Sequence, residues 1–113
     1  MKLSEQEKDG VVVLKLAGKI MGGPDAALLN DKLHELVDQG KTKVVADLSK
    51  VDWMNSSGLG ILIGGLTTMR NNGGDLKLAC VTDRIQSLLM ITKLLSVFET
   101  YDNLDAAVAS YSA

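Results

Sequence analysis

The chain has 113 residues, 46% hydrophobic and 23% charged, which is the composition of one globular domain over residues 1–113. A formal net charge of −2 and only 4% aromatic residues argue against nucleic-acid binding, which needs a basic surface or aromatic side chains that stack on bases. One cysteine and one histidine form neither an intrachain disulfide nor a zinc site by themselves, and the longest apolar stretch, residues 59–66, is too short to span a bilayer.

The amino-terminal part of the chain predicts a hairpin followed by a helix. Asp9-Gly10 stands before the β-branched run of residues 11–17, and a DG pair at such a place signals a tight turn between two strands. Pro24 then begins a helix, which Gly40 ends. The residues at helical spacing that form its apolar stripe are Ala26, Leu29, Leu33, Leu36 and Val37.

The middle of the chain predicts a strand, a polar loop and a second helix. The strand covers residues 43–48, and the polar side chains within 49–52 predict a loop after it. Trp53 is interpreted as packing this loop down against the domain. A helix follows over residues 56–69, with an apolar stripe made of Leu59, Leu62, Ile63, Leu66 and Met69.

The carboxyl-terminal part predicts a strand, a helix, a short strand and a last helix. Residues 76–81 alternate as a strand with one face made of Leu76, Leu78 and Cys80. Thr82 or Asp83 caps the next helix, whose apolar residues are Ile85, Leu88, Leu89 and Ile91. A short strand over 97–99 precedes a helix capped at residues 102–103. Strands alternating with helices predict an α/β fold with a largely parallel or mixed sheet.

The segment of residues 47–60 is the strongest candidate for a functional site. It runs from the end of a strand into the amino terminus of a helix, a place where α/β proteins favour their sites. Asn55, Ser56 or Ser57 could each cap that helix. The two hydroxyls then serve either as caps alone or as a modified or ligand-facing group at the positive end of the helix dipole.

The same helix carries a second face, distinct from its apolar stripe. At helical spacing this face is formed by Ser57, Ile61, Gly64 and Thr68. It combines small residues with one large apolar residue, so another backbone can approach it closely. The face either packs against a neighbouring element of the same domain or forms a docking surface beside the serine pair.

A serine hydrolase is the enzyme alternative, and the sequence argues against it. The only histidine, His34, falls on the polar face of the first helix, and no G-x-S-x-G sequence surrounds the serines. The glycines at 58, 60 and 64 do not have the spacing of a dinucleotide-binding loop. The acidic residues show no metal-ligand pattern either. We therefore expect no catalytic residue, no cofactor and no metal site.

Three segments of the chain resemble the STAS domain of bacterial anti-sigma factor antagonists. Residues 16–29 resemble the family's passage from a strand into the first helix, and residues 88–108 resemble its carboxyl-terminal part. The sequence Asn55-Ser56-Ser57-Gly58-Leu59-Gly60 is similar to the family signature D-[ST]-[ST]-G-L-G after a strand. The resemblance implies a single STAS-type α/β domain with a four- or five-stranded mixed sheet and about four helices, mostly on one side.

The resemblance also implies a role in partner switching. The unphosphorylated antagonist binds an anti-sigma factor with serine kinase activity, phosphorylation separates the two, and a serine phosphatase reverses the step. The phosphoacceptor serine of the family falls on Ser56. The resemblance assigns partner binding to Asp25, Asn55, Ser57, Gly58 and Ile61. The implied protein is cytoplasmic, is not an enzyme, binds no nucleic acid, is not inserted in a membrane, and is a monomer or weak dimer.

Asn55 departs from the family pattern, because many members carry aspartate at this position. Asparagine keeps the oxygen that caps a helix but lacks the negative charge, which leaves the identity of the kinase open. The alternative function is a STAS subunit that is never phosphorylated. Such a subunit acts as a regulatory or structural partner of another complex, for example a membrane transporter.

Overall fold

The fold alternates strands and helices after an opening hairpin. The computed structural model describes residues 1–112. Its elements in chain order are β1 (Lys2–Lys8), β2 (Val11–Ile20), α1 (Pro24–Asp38), β3 (Lys43–Met54), α2 (Ser56–Asn71), β4 (Asp75–Ala79), α3 (Asp83–Ile91), β5 (Thr100–Tyr101) and α4 (Leu104–Ser110). Asp9 and Gly10 form the hairpin turn with positive φ angles of 54° and 79°, as the DG pair predicts.

The five strands form one mixed sheet in the order β1-β2-β3-β4-β5. β1 is antiparallel to β2, and every other neighbouring pair is parallel. The predicted α/β class and mixed sheet are therefore confirmed. Because β2, β3 and β4 are parallel, their carboxyl ends lie at one edge of the sheet, and α2 begins at that edge.

Three helices cover one face of the sheet, and α4 covers part of the other. Alternate residues of β2 divide between two cores, since successive side chains of a strand point to opposite faces. Val12 and Leu14 join the larger core with residues of α1, α2 and α3, whereas Val11 and Val13 join the smaller core with residues of α4. This division confirms that the helices lie mostly on one side.

The third strand is longer than predicted, and the polar loop predicted over 49–52 is wrong. β3 continues to Met54 alongside β2, with two register shifts in which β3 carries one extra residue each time. Ser49 and Lys50 are both exposed at the first shift, while Val51 and Met54 are buried. A bulged strand breaks the simple alternation of buried and exposed residues, so its polar pairs resemble a loop in sequence.

Three residues predicted for apolar core faces lie elsewhere. Cys80 follows the end of β4 with φ at 58°, so the strand's alternation no longer applies and its side chain packs on the smaller core. Ile91 is the last residue of α3 and is 80% exposed, since no element covers that end of the helix. Ala26 on α1 is exposed as well.

The predicted caps of the last two helices are confirmed, whereas the strand predicted over residues 97–99 is wrong. Thr82 caps α3, and Asn103 caps α4 by accepting a hydrogen bond from the backbone N–H of Ala106 at 2.8 Å. The last strand is β5, not residues 97–99. Phe98 is buried in the larger core, which explains its apolar character, and the carbonyl oxygen of Glu99 accepts the backbone N–H of Leu78 in β4 at 3.0 Å just before β5 begins.

Tyr111 fastens the carboxyl-terminal helix to the second face of the sheet. Its hydroxyl accepts the backbone N–H of Val44 at 3.2 Å and lies 2.7 and 2.9 Å from the carbonyl oxygens of Val44 and Asp75. Burial raises the pKa of the Tyr111 hydroxyl above its ordinary value of 10.0, so it stays protonated and can donate. α4 is thus held on the face opposite to α2.

Candidate functional site

Asn55 sets the start of α2 at the carboxyl edge of the sheet. Its side-chain oxygen accepts a hydrogen bond from the backbone N–H of Gly58 at 2.8 Å, which makes it the N-cap. Its own N–H donates to the carbonyl oxygen of Ile20 at the end of β2, at 3.4 Å. Of the three residues that could cap this helix by sequence, the structure selects Asn55.

The two serines therefore occupy the first turn of α2 without serving as caps. Ser56 and Ser57 are both exposed. Their backbone N–H groups find no acceptor within residues 1–112, so they face outward at the positive end of the helix dipole. Among the four helices described, only α2 begins without an acidic residue in its first turn. The arrangement favours a negative charge at this end.

Gly58 holds the helix against the end of β2. A β-carbon built on Gly58 would lie 1.9 Å from the carbonyl oxygen of Ile20 and 2.7 Å from its carbonyl carbon. Both atoms belong to the backbone, so no side-chain rotation relieves the overlap. Gly58 is buried, and the structure gives it a packing role beneath the serines.

An open groove of about 620 Å³ lies between α1 and α2, beside the serine pair. Its floor and walls are mostly small residues: Gly22, Ala26, Ala27, Gly60 and Gly64. Ser57 and the half-buried Ile61 also line it. The second face of α2 therefore borders α1 of the same domain and still leaves an accessible surface, and its use as a docking surface stays a prediction. The sequence did not predict that small residues of α1 line a groove, because an alanine at helical spacing is equally compatible with a buried apolar stripe.

The remaining predicted partner residue, Asp25, is not part of the groove. It lies in the first turn of α1, and its side chain is only 17% exposed. Its carboxylate accepts a hydrogen bond from the amino group of Met1 at 3.3 Å. The structure thus brings Asn55, Ser57 and Ile61 together near Ser56 but leaves Asp25 aside.

A second cleft of about 490 Å³ lies at the carboxyl ends of β2 and β3. Trp53 lines it, is 40% exposed, and belongs to β3 instead of packing down a loop. The guanidinium of Arg84, in the first turn of α3, lies 4.6 Å from the centre of the indole ring. No sequence signal joins these two residues, because they are 31 positions apart on different elements.

The groups that could support other chemistry lie apart from the serines. His34 is exposed on α1, with Nδ1 2.9 Å from the carbonyl oxygen of Asn30, and does not line the groove. Burial, followed by the nearby Asp47 carboxylate, raises the pKa of the Cys80 thiol and keeps it protonated. In residues 1–112 no group of three or more histidine, cysteine or acidic side chains could hold a metal ion.

The family model for the STAS domain matches residues 2–107, nearly the whole chain. This chain belongs to the STAS domain family. Within the described part of this STAS protein, no helix is long and apolar enough to cross a membrane. The observed five-stranded mixed sheet with four helices agrees with this membership.

Relatives of similar sequence are named anti-sigma factor antagonists. The candidate antagonist BtrV of Bordetella bronchiseptica is 29% identical over 98% of this chain and 95% of its own. The anti-sigma-B factor antagonist of Bacillus subtilis is 30% identical over 83% of this chain and 84% of its own. The fold also matches the phosphorylated form of the Bacillus cell fate determinant SpoIIAA, with a TM-score of 0.74 and 16% identity over 97% of this chain and 99% of that one.

Proposed function

We propose that this protein is an anti-sigma factor antagonist whose partner binding is controlled by phosphorylation of Ser56. The observation that carries the proposal is the exposed serine pair at the amino end of α2, next to an open groove. The unphosphorylated protein binds an anti-sigma factor with serine kinase activity, and a serine phosphatase restores this form. As a single cytoplasmic domain it regulates transcription without catalysing a reaction itself.

Ser56 suits phosphorylation better than Ser57 because of where the two side chains lie. Ser57 lines the groove, beside the turn of Gly22, whereas Ser56 is exposed outside it. A phosphate on Ser56 adds about −1.5 to −2 charge and three acceptor oxygens. It meets the positive end of α2, the outward N–H groups of the first turn, and no acidic neighbour within that turn. The fold therefore tolerates the modified residue.

A partner seated in the groove does not tolerate the same phosphate. The partner surface must cover Ser57 and Ile61, which brings it against Ser56 as well. Burying a charge without a countercharge costs several kcal/mol even after relaxation. Each 1.4 kcal/mol corresponds to a tenfold change in affinity, so one phosphate releases the partner without a change of fold.

Asn55 modifies the switch without removing it. Its oxygen caps α2 as an aspartate would, so the start of the helix is preserved. Its amide carries no charge, so a phosphate on Ser56 meets no repulsion from the preceding side chain. The cognate kinase must therefore recognise its substrate without an acidic residue at position 55.

Binding of the purified cognate anti-sigma factor kinase to two α2 variants tests the groove as the partner site. Ile61→Glu places a charge in the groove, and we expect at least about a hundredfold weaker binding, as for a lost hot-spot residue. Thr67→Glu adds the same charge to an exposed position of α2 outside the groove and should bind as the wild type does. Ile61 is half-buried, so its variant should still fold, with a modestly lower melting temperature. If a folded Ile61→Glu variant bound the kinase as tightly as the wild type does, the groove would be ruled out as the partner site.

A further inference from the structure

The Trp53–Arg84 cleft adjoins the groove across the β2–α1 turn. Met21 lines the cleft, while the next two residues of the turn, Gly22 and Gly23, line the groove. A β-carbon on Gly22 would lie 3.3 Å from the β-carbon of Ser57, so the turn sits directly against the start of α2. The groove and the cleft are therefore two parts of one surface around the amino end of this helix.

The side chains of the cleft are of the types that dominate protein interfaces. Met21 is 48% exposed and Trp53 40% exposed, although both are large and apolar. Arg84 stacks on the indole ring, which fixes the orientation of both side chains. Methionine, tryptophan and arginine are enriched at interfaces, and tryptophan and arginine lead among the residues that carry binding energy.

The cleft also lies close to most of the basic side chains that have no carboxylate partner. Seven of the twelve basic side chains have no carboxylate oxygen within 4.0 Å in the described chain, and five of the seven lie here. Lys19 and Arg84 line the cleft, and Lys2, Lys15 and Lys50 line a separate depression on β1, β2 and β3, the last two of which also lead into the cleft. The nearby carboxylates are Asp52, which lines the cleft, Asp83, which precedes Arg84 in the first turn of α3, and the buried Asp47. Cations are in excess, although the whole chain has a net charge of −2.

We propose that the Trp53–Arg84 pair is a second anchor for the partner protein and binds an acidic segment of it. The proposal rests on the proposed function, since it extends the same interface past Ser56. Arg84 offers the free edge of its guanidinium to a carboxylate, while Trp53 and Met21 cover apolar atoms beside that carboxylate. The positive field around the cleft speeds the approach of an acidic surface.

A protein segment fits this surface better than a membrane or a nucleic acid does. Trp53 is more than half covered and lies against Arg84, so it cannot insert between lipids. It is the only aromatic side chain that lines the cleft, whereas nucleic-acid grooves carry several for successive bases.

Titration of the purified cognate kinase against charge variants at fixed ionic strength tests the second anchor. We expect Arg84→Glu and Trp53→Ala each to weaken binding by about thirtyfold or more, the effect of losing a hot-spot residue. Lys43→Glu is the matched control, because Lys43 is an exposed cation without a carboxylate partner at the opposite end of β3. This control should bind as the wild type does. The loss in Arg84→Glu should shrink between about 0.15 M and about 1 M salt, where the Debye length falls from about 8 Å to about 3 Å.

The outcomes separate the second anchor from the proposed function. Wild-type affinity for both Arg84→Glu and Trp53→Ala, with binding lost in Ile61→Glu, overturns the anchor and leaves the groove intact. Wild-type affinity for all three variants overturns the proposed interface as a whole. A loss of equal size in Lys43→Glu also overturns the anchor, since net charge alone would then explain it. Melting temperatures identify any variant that fails to fold, and Trp53→Phe should recover part of the lost affinity.

Discussion

An alanine at position 58 should lower the free energy of unfolding by about 3 kcal/mol, the upper end of the usual cost of overpacking. Its β-carbon would lie 1.9 Å from the carbonyl oxygen of Ile20. The overlap involves backbone on both sides, so either the end of β2 or the start of α2 must move. That movement would also disturb the hydrogen bond between Asn55 and the N–H of Gly58. The loss of stability in Gly58→Ala therefore measures how strongly the contact between α2 and β2 constrains the position of the serine pair.

Gly60→Ala is the matched control for this effect. The position lies in the same helix two residues later, is exposed, and has no neighbouring atom within 4 Å of a new β-carbon. Alanine there should raise stability by about 0.5–1 kcal/mol, since glycine is a poor helix former. Urea unfolding of both variants measures the difference. Equal midpoints for Gly58→Ala and the wild type would show that the close approach of α2 to β2 is not a constraint.

Ser56→Asp should abolish kinase binding while leaving the fold intact. A negative charge at position 56 lies in the first turn of α2, where it should stabilise the protein by about 0.3–1 kcal/mol. The same charge must be desolvated when a partner covers the groove, so we expect affinity to fall by at least about a hundredfold. Loss of binding together with an unchanged or raised melting temperature distinguishes a switch from simple unfolding.

Two serine variants complete the comparison. Ser56→Ala removes the acceptor hydroxyl without adding charge. It should bind the kinase constitutively, because no phosphate can be added at position 56. Ser96→Asp places the same charge on an exposed serine that lines neither the groove nor the Trp53–Arg84 cleft, and it should leave affinity unchanged. Equal affinities for Ser56→Ala and Ser56→Asp would contradict the electrostatic basis of the switch.

Local sequence signals predicted the parts of the fold that neighbouring residues decide. The DG pair fixes the hairpin turn, because its positive φ angles are a property of those two residues. Pro24 and Gly40 likewise mark the two ends of α1. The serine pair could be placed at the start of α2, since a strand, polar residues and an apolar helical pattern follow one another in the chain.

The features that were missed depend on residues far apart in the chain. The polar stretch after residue 48 is a strand only because β2 pairs with it through two register shifts. The groove needs small residues on both α1 and α2, and Ala26 alone does not show which surface it faces. The stacking of Arg84 on Trp53 requires α3 to return to the edge where β3 ends. These arrangements follow from packing, which a local pattern does not encode.

The most direct test of the switch is the intact mass of the protein isolated from its native host, before and after phosphatase treatment, with fragmentation to locate the modified residue. We expect a single phosphate on Ser56 that the phosphatase removes. A phosphate on Ser57 instead, or none under any growth condition, would contradict the assignment of Ser56. The complete absence of phosphate would favour a STAS subunit that is never phosphorylated.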